Sequence, residues 1–169
     1  MDLQLADKRI FISGSTQGIG YAVAAACAAE GAAVTINGRD EARVAAAVSS
    51  LRATLPRGSI RGISADLSDS GEVQRLLAEL GAVDVLVNNL GTFDVADFSE
   101  ISDDEWRRHF DVNVMTGVRL SRHLLPSMRE QRWGRIIFVG TESAVEVPGD
   151  MIHYGATKAA ALAVSNGLA

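Results

Sequence analysis

Lys8-Arg-Ile-Phe-Ile-Ser-Gly-Ser-Thr-Gln-Gly-Ile-Gly20, followed by the alanine-rich run Tyr21-Ala-Val-Ala-Ala-Ala-Cys-Ala-Ala-Glu30, decides how this chain folds. Lys8 to Ser13 reads as a short apolar strand, and Ile19 to Glu30 as a helix capped by Gly31. Between them stand Gly14, Gly18 and Gly20 in a Gly-x3-Gly-x-Gly spacing. At a strand-to-helix turn, glycines permit tight backbone geometry. They also let a pyrophosphate approach a helix N-terminus, whose free N–H groups and dipole favour anions. The same cluster taken alone is equally a plain turn, and its spacing differs from the Gly-x-Gly-x2-Gly of the general dinucleotide fingerprint. The rest of the chain has to choose between the two.

Working outward, Ala33 to Asn37 gives a second strand, and about Asp40 to Thr54 a helix with Asp40 and Glu41 at its positive end. Pro56 and Gly58 mark a loop. Ser59 to Ala65 is a third strand. Ser68 or Asp69 opens a helix with Val73, Leu76, Leu77 and Leu80 on one face, and Val83 to Val87 is a fourth strand. After a polar segment from Phe93 to Ser102, residues 103 to 129 form one long helical pattern, with Trp106, Phe110, Val114 and Val118 at successive i+4 positions. That apolar stripe suits either a core or a subunit interface. Arg135 to Gly140 is a fifth strand, and its run Ile136-Ile137-Phe138-Val139 predicts burial on both faces. A last helix begins at Tyr154. This alternation predicts an α/β fold: a Rossmann-type, doubly wound parallel sheet of about five strands in three α/β/α layers, one domain over residues 1–169.

Composition bounds the function. With 169 residues, 47% hydrophobic and 5% aromatic, the core is built from Ala, Val, Leu and Ile. A net charge of −5 argues against nucleic acid, which needs a concentrated basic face. Cys27, the single cysteine, lies in the alanine run and reads as a packing residue, so neither a disulfide nor a cysteine metal site forms within one chain. The N-terminus has no apolar stretch of signal-peptide type, and no run approaches the roughly 20 apolar residues needed to span a bilayer. A cytoplasmic setting without membrane association is therefore expected. His109, His123 and His153 are not at ligand spacing and no carboxylates are paired, so no metal site is expected, and His153 is read as loop lining.

Tyr154 and Lys158, in His153-Tyr-Gly-Ala-Thr-Lys158, are four apart and share one helix face. A phenol with a pKa of about 10 relays protons poorly at neutral pH, and a nearby ammonium favours the phenolate. Alone, such a pair is ordinary surface chemistry. Placed after a fifth parallel strand and a glycine turn of this kind, it reads as a site.

The glycine turn, Asn88-Asn89-Leu90-Gly91 after the fourth strand, Asp66-Leu67 after the third, and Tyr-x3-Lys together resemble the short-chain dehydrogenase/reductase family over essentially the whole chain. Leu90 departs from the alanine usual there, and each Asn or Asp by itself is a loop cap. The resemblance implies an enzyme moving hydride between a nicotinamide cofactor and a carbonyl or alcohol, with 3-oxoacyl-thioester reduction as one subtype. It implies that Gly14, Ser15, Thr16, Gln17, Gly18, Ile19 and Gly20 hold the cofactor, with Asp66 and Leu67 at the adenine and Asn89 and Gly91 further along. Tyr154 would be the general acid or base, and Lys158 would lower its pKa and hold the nicotinamide ribose. Thr141, thirteen residues before Tyr154, would orient the substrate oxygen where the family usually has Ser, with Ser143 as the rival hydroxyl. Asn113 would hold a water beside the lysine through its backbone carbonyl; read alone, it is a local kink or polar contact.

NAD binding needs an acid at the end of the second strand, whereas NADP binding needs a cation. Ile36-Asn37-Gly38-Arg39 has Gly38 in the acid's place and Arg39 beside it, so NADP(H) is favoured and NAD(H) is the alternative; Gln17, where many NADP-dependent relatives are basic, counts against NADP. The family also implies a homodimer or homotetramer through the long and last helices. Relatives continue with two more strands and a substrate lid, so weak activity is expected of these residues alone. The alternative reading is a non-catalytic NADP-binding module or scaffold.

Overall fold

The computed structural model describes residues 3–55 and 58–169, which leaves the Pro56 end of the predicted loop outside the described residues. Its elements are β1 (Arg9–Ile12), α1 (Gly18–Ala29), β2 (Ala33–Gly38), α2 (Glu41–Thr54), β3 (Ser59–Ser64), α3 (Ser70–Leu80), β4 (Val85–Asn88), α4 (Asp103–Phe110), α5 (Thr116–Glu130), β5 (Arg135–Phe138) and α6 (Ile152–Leu168). The five strands form one parallel sheet in the order β3-β2-β1-β4-β5.

Period-two alternation divides the core. Ile10 and Ile12 face one layer, with Ala24 and Ala28 of α1 and Ala47 and Leu51 of α2. Phe11 faces the other, with Leu76 and Leu77 of α3 and Leu120 and Leu124 of α5. This is the doubly wound, three-layer α/β/α architecture. The strand order reverses between β1 and β4, so a crevice opens beyond their C-terminal ends, where such sheets bind ligands. The glycine turn leaves β1 at that point, and the Asn89 loop leaves β4 beside it.

Three sequence expectations are corrected. The single helix over 103–129 is interrupted: a π-helical turn, Asp111–Met115, separates α4 from α5. There the Thr116 hydroxyl donates to the Asp111 carbonyl and to Leu67 O, competing with the regular ladder. The fifth strand is not buried on both faces. Among the described residues it pairs with β4 alone, and at that edge Arg135 is exposed and Ile137 is 48% exposed. His153 does not line a loop. Because α6 starts at Ile152, His153 falls in its first turn and is 1% exposed, packed against His109.

Candidate active site

Gly14 and Gly18 take the left-handed φ values of +59° and +61° that a side chain would strain. Gly20 is required for a different reason. A Cβ there would lie 2.5 Å from Asn89 Nδ2 and 2.9 Å from the Gly14 carbonyl oxygen. Ser15 is fully buried, its hydroxyl donating to Ile12 O at 2.6 Å and accepting from Asn37 N at 2.9 Å, so it shapes the turn from within. Asn89 donates to Ser13 O at 2.9 Å and Gly14 O at 2.8 Å, locking the loop after β4 onto the glycine turn.

The helix that follows begins without a side-chain cap or a first-turn acid, as α5 and α6 also do. α2, α3 and α4 are capped by Asp40, Asp69 and Ser102, with acids in their first turns. α1 has neither: Gln17 makes no capping hydrogen bond, and no acid stands in the first turn. Its leading N–H groups follow the glycine turn, with Ile19 64% exposed among them, and the positive end of a helix dipole favours an anion there. These residues fit the cofactor that the glycine turn implies.

The rim of the crevice is only partly as expected. Arg39 is exposed and close enough to Asp66 to contribute to holding that carboxyl below the usual range, chiefly the work of hydrogen bonds from Ser68. Leu67 is buried among the core side chains of α3 and α5, and its carbonyl accepts from the Thr116 hydroxyl. Arg43 was missed by sequence reasoning. From the first turn of α2 it donates to Gln17 Oε1 at 2.5 Å, so a guanidinium stands at the position where Gln17 lacks a charge. Its signal in the sequence was its spacing of one helical turn from Arg39.

At the other end, Asn113 is joined through Thr157 to the backbone of Tyr154, while Lys158, Thr141 and Ser143 make separate contacts. Asn113, buried in the π turn, donates to Thr92 O and to Thr157 Oγ1, each at 2.9 Å, and accepts from Thr92 N at 2.7 Å. Thr157, also unforeseen, donates in turn to Tyr154 O at 2.8 Å. Gly91, in the same loop, lies against Asn113, where an added Cβ would stand 3.5 Å from its Oδ1. Lys158 Nζ donates to Val139 O at 2.7 Å, and burial pushes its pKa down. Phe93 packs edge-on to the Tyr154 ring at 6.1 Å. Thr141 and Ser143, the two rival hydroxyls, stand 3.4 Å apart in one turn of 3-10 helix beyond β5. Gly155 lets α6 approach this turn, since a Cβ there would meet Ser143 O at 2.8 Å.

The sequence model of a family described as short chain dehydrogenase matches residues 8–169. The chain belongs to the short-chain dehydrogenase family. It is 44% identical over its full length to an uncharacterized oxidoreductase of Bacillus subtilis (strain 168), YvrD, of which it spans 64%. The L-sorbose reductase of Gluconobacter frateurii, solved with NADPH and L-sorbose, superposes with a TM-score of 0.94 at 32% identity, over 99% of this chain and 65% of that one. An NADH-dependent reductase, A1-R′, solved with NAD, superposes at 0.88 with 30% identity, over 99% and 73%. The chain therefore spans just under two thirds of the length of the curated short-chain dehydrogenase relative YvrD. Among the described residues no helix is long and apolar enough to cross a membrane.

Proposed function

We propose that residues 1–169 form the nucleotide-binding and catalytic domain of an NAD(P)-dependent oxidoreductase acting on a carbonyl or alcohol. One observation carries this reading: Asn89 ties the glycine turn to the loop after β4, and Asn113 ties that loop through Thr157 to α6 at the backbone of Tyr154. The nicotinamide cofactor supplies or accepts the hydride when bound. The uncapped start of α1 and the glycine turn would hold its diphosphate, with Gln17 and Gly18 at the turn's exposed edge. The Tyr154 hydroxyl passes the proton to or from the substrate oxygen, and the Lys158 ammonium favours the phenolate. Thr141, with Ser143 beside it, donates a hydrogen bond to that oxygen. Asn113 holds the relay in register.

NADP(H) is the preferred cofactor in this reading. A Cβ at Gly38 would lie 2.6 Å from Thr16 Cγ2, so an acid there has no room while Thr16 stays in place. Arg39 and Arg43 supply the cations that a 2′-phosphate needs. The two similar structures, one with NADPH and one with NAD, show that this fold accepts either. The protein assembles as a homodimer or homotetramer, through exposed apolar side chains such as Phe110 and Leu162.

Fluorescence titration with NADPH and with NADH, followed by a panel of ketoses and 3-oxoacyl thioesters, tests the proposal. Tyr154→Phe is expected to keep NADPH binding while turnover falls by about 10²- to 10⁴-fold, the range for loss of one general acid or base. Failure to bind either nucleotide, or turnover unchanged in Tyr154→Phe, overturns it. Arg39→Ala and Arg43→Ala should each weaken NADPH by roughly 10- to 100-fold and leave NADH unchanged, as loss of a charge-assisted hydrogen bond implies.

A further inference from the structure

Asp94, His109 and His153 meet where the loop after β4, the last turn of α4 and the first turn of α6 come together. Both imidazoles are buried, 0% and 1% exposed, and pack edge to face with centroids 4.2 Å apart. His109 Nδ1 lies 3.0 Å from the Glu105 carbonyl oxygen. A carbonyl only accepts, so Nδ1 carries the proton and Nε2 presents its lone pair. That Nε2 has no hydrogen-bond partner, and neither does His153 Nδ1. Buried polar atoms are almost always satisfied, so two unmet ring nitrogens in one cluster point to something that occupies them. Asp94 Oδ2 stands 3.7 Å from His109 Nε2, too long for a hydrogen bond. One ligand atom from each of the three residues lies within 4.8 Å of the others.

We propose that Asp94, His109 and His153 bind a divalent transition-metal ion of the zinc class. Two imidazole nitrogens and one carboxylate oxygen suit such an ion, whereas calcium and magnesium take oxygen sets. In a tetrahedral site with bonds of about 2.0–2.2 Å, ligand atoms stand about 3.3 Å apart. Closing the present cluster to that size takes side-chain torsion, most easily at Asp94, whose side chain is 48% exposed. Outer contacts are in place for two of the three ligands. The Glu105 carbonyl orients His109, and Arg108 holds the Asp94 carboxylate while also donating to Thr92 Oγ1 at 3.2 Å. A bound ion would join the loop bearing Phe93, the neighbour of Tyr154, to the start of α6.

The test is a titration of the tag-free 169-residue chain with Co²⁺, read by visible ligand-field absorption, and then displacement by Zn²⁺. It needs neither nucleotide nor turnover, so its failure leaves the proposed reaction untouched. One-to-one uptake with the intense bands of a four- or five-coordinate ion is expected. Asp94→Asn and His109→Gln should each weaken it at least about 100-fold, the upper range for disturbing even an outer contact. His123→Gln, at the exposed histidine of α5, should leave it unchanged. If His109→Gln fails to fold, Asp94→Asn at a half-exposed position decides. No cobalt uptake, uptake that survives Asp94→Asn, or uptake lost in His123→Gln overturns the proposal.

Discussion

At Gly20 an added methyl group would press on the Gly14 carbonyl and the Ser15 backbone as well as on Asn89, and backbone cannot rotate away. Gly20→Ala is therefore expected to destabilise the fold by about 1–3 kcal/mol, the usual cost of overpacking. It should also abolish nucleotide binding, read by thermal melting and by NADPH titration; unchanged binding would show that the turn is not the cofactor cradle. The three glycines were legible because a strand-to-helix turn has few backbone solutions. The roles of Ser15 and Leu67 were less so, since residue type does not say which way a side chain points. Both side chains turn inward, into hydrogen bonds for one and the core for the other.

Among the elements, the π turn does the most to shape the site. It buries Asn113 where one amide meets both backbone groups of Thr92 and the Thr157 hydroxyl. Asn113→Ala leaves the Thr92 N–H and carbonyl without these partners. A loss of about 1–3 kcal/mol in urea denaturation is expected from losing these part-buried hydrogen bonds. Turnover should fall with it, because the loop and α6 lose their clip. The helical period of 103–129 was visible in the sequence, but its interruption was not. The turn coincides with the Thr116 hydroxyl bonding Leu67 O, 49 residues away, a contact that no local pattern announces. β5 shows the reverse: its apolar run was read correctly as a strand, and its exposure follows from having one neighbour rather than two.

Across the whole molecule, Asp84 staples distant parts of the chain. Its carboxylate accepts from the Arg9 backbone N–H at 2.9 Å and from the Arg9 guanidinium at 2.6 and 2.8 Å, with Gln131 at the end of α5 adding a fourth bond at 3.3 Å. Hydrogen bonding to Arg9, above all, lowers its pKa to about 2. Since the folded pKa lies below the unfolded value of about 3.9, this stability is fully present above pH about 4 and is lost as pH falls toward about 2. On the order of 2 kcal/mol should disappear over that window in wild type. Asp84→Asn should already lack it at neutral pH, so its urea midpoint should change less between neutral pH and pH 3.

Local spacing was sufficient for the strands, for the helices apart from the break in 103–129, and for the glycine turn. Each of these depends on neighbours within a few residues, where backbone geometry leaves few choices. The meetings of Arg43 with Gln17, of Asn113 with Thr157, and of Asp94 with His109 and His153 were set by the crossovers that bring separate elements together. Distance along a chain does not measure distance through space, so residues read singly as caps, kinks or loop lining acquire their chemistry only when the sheet brings them into contact.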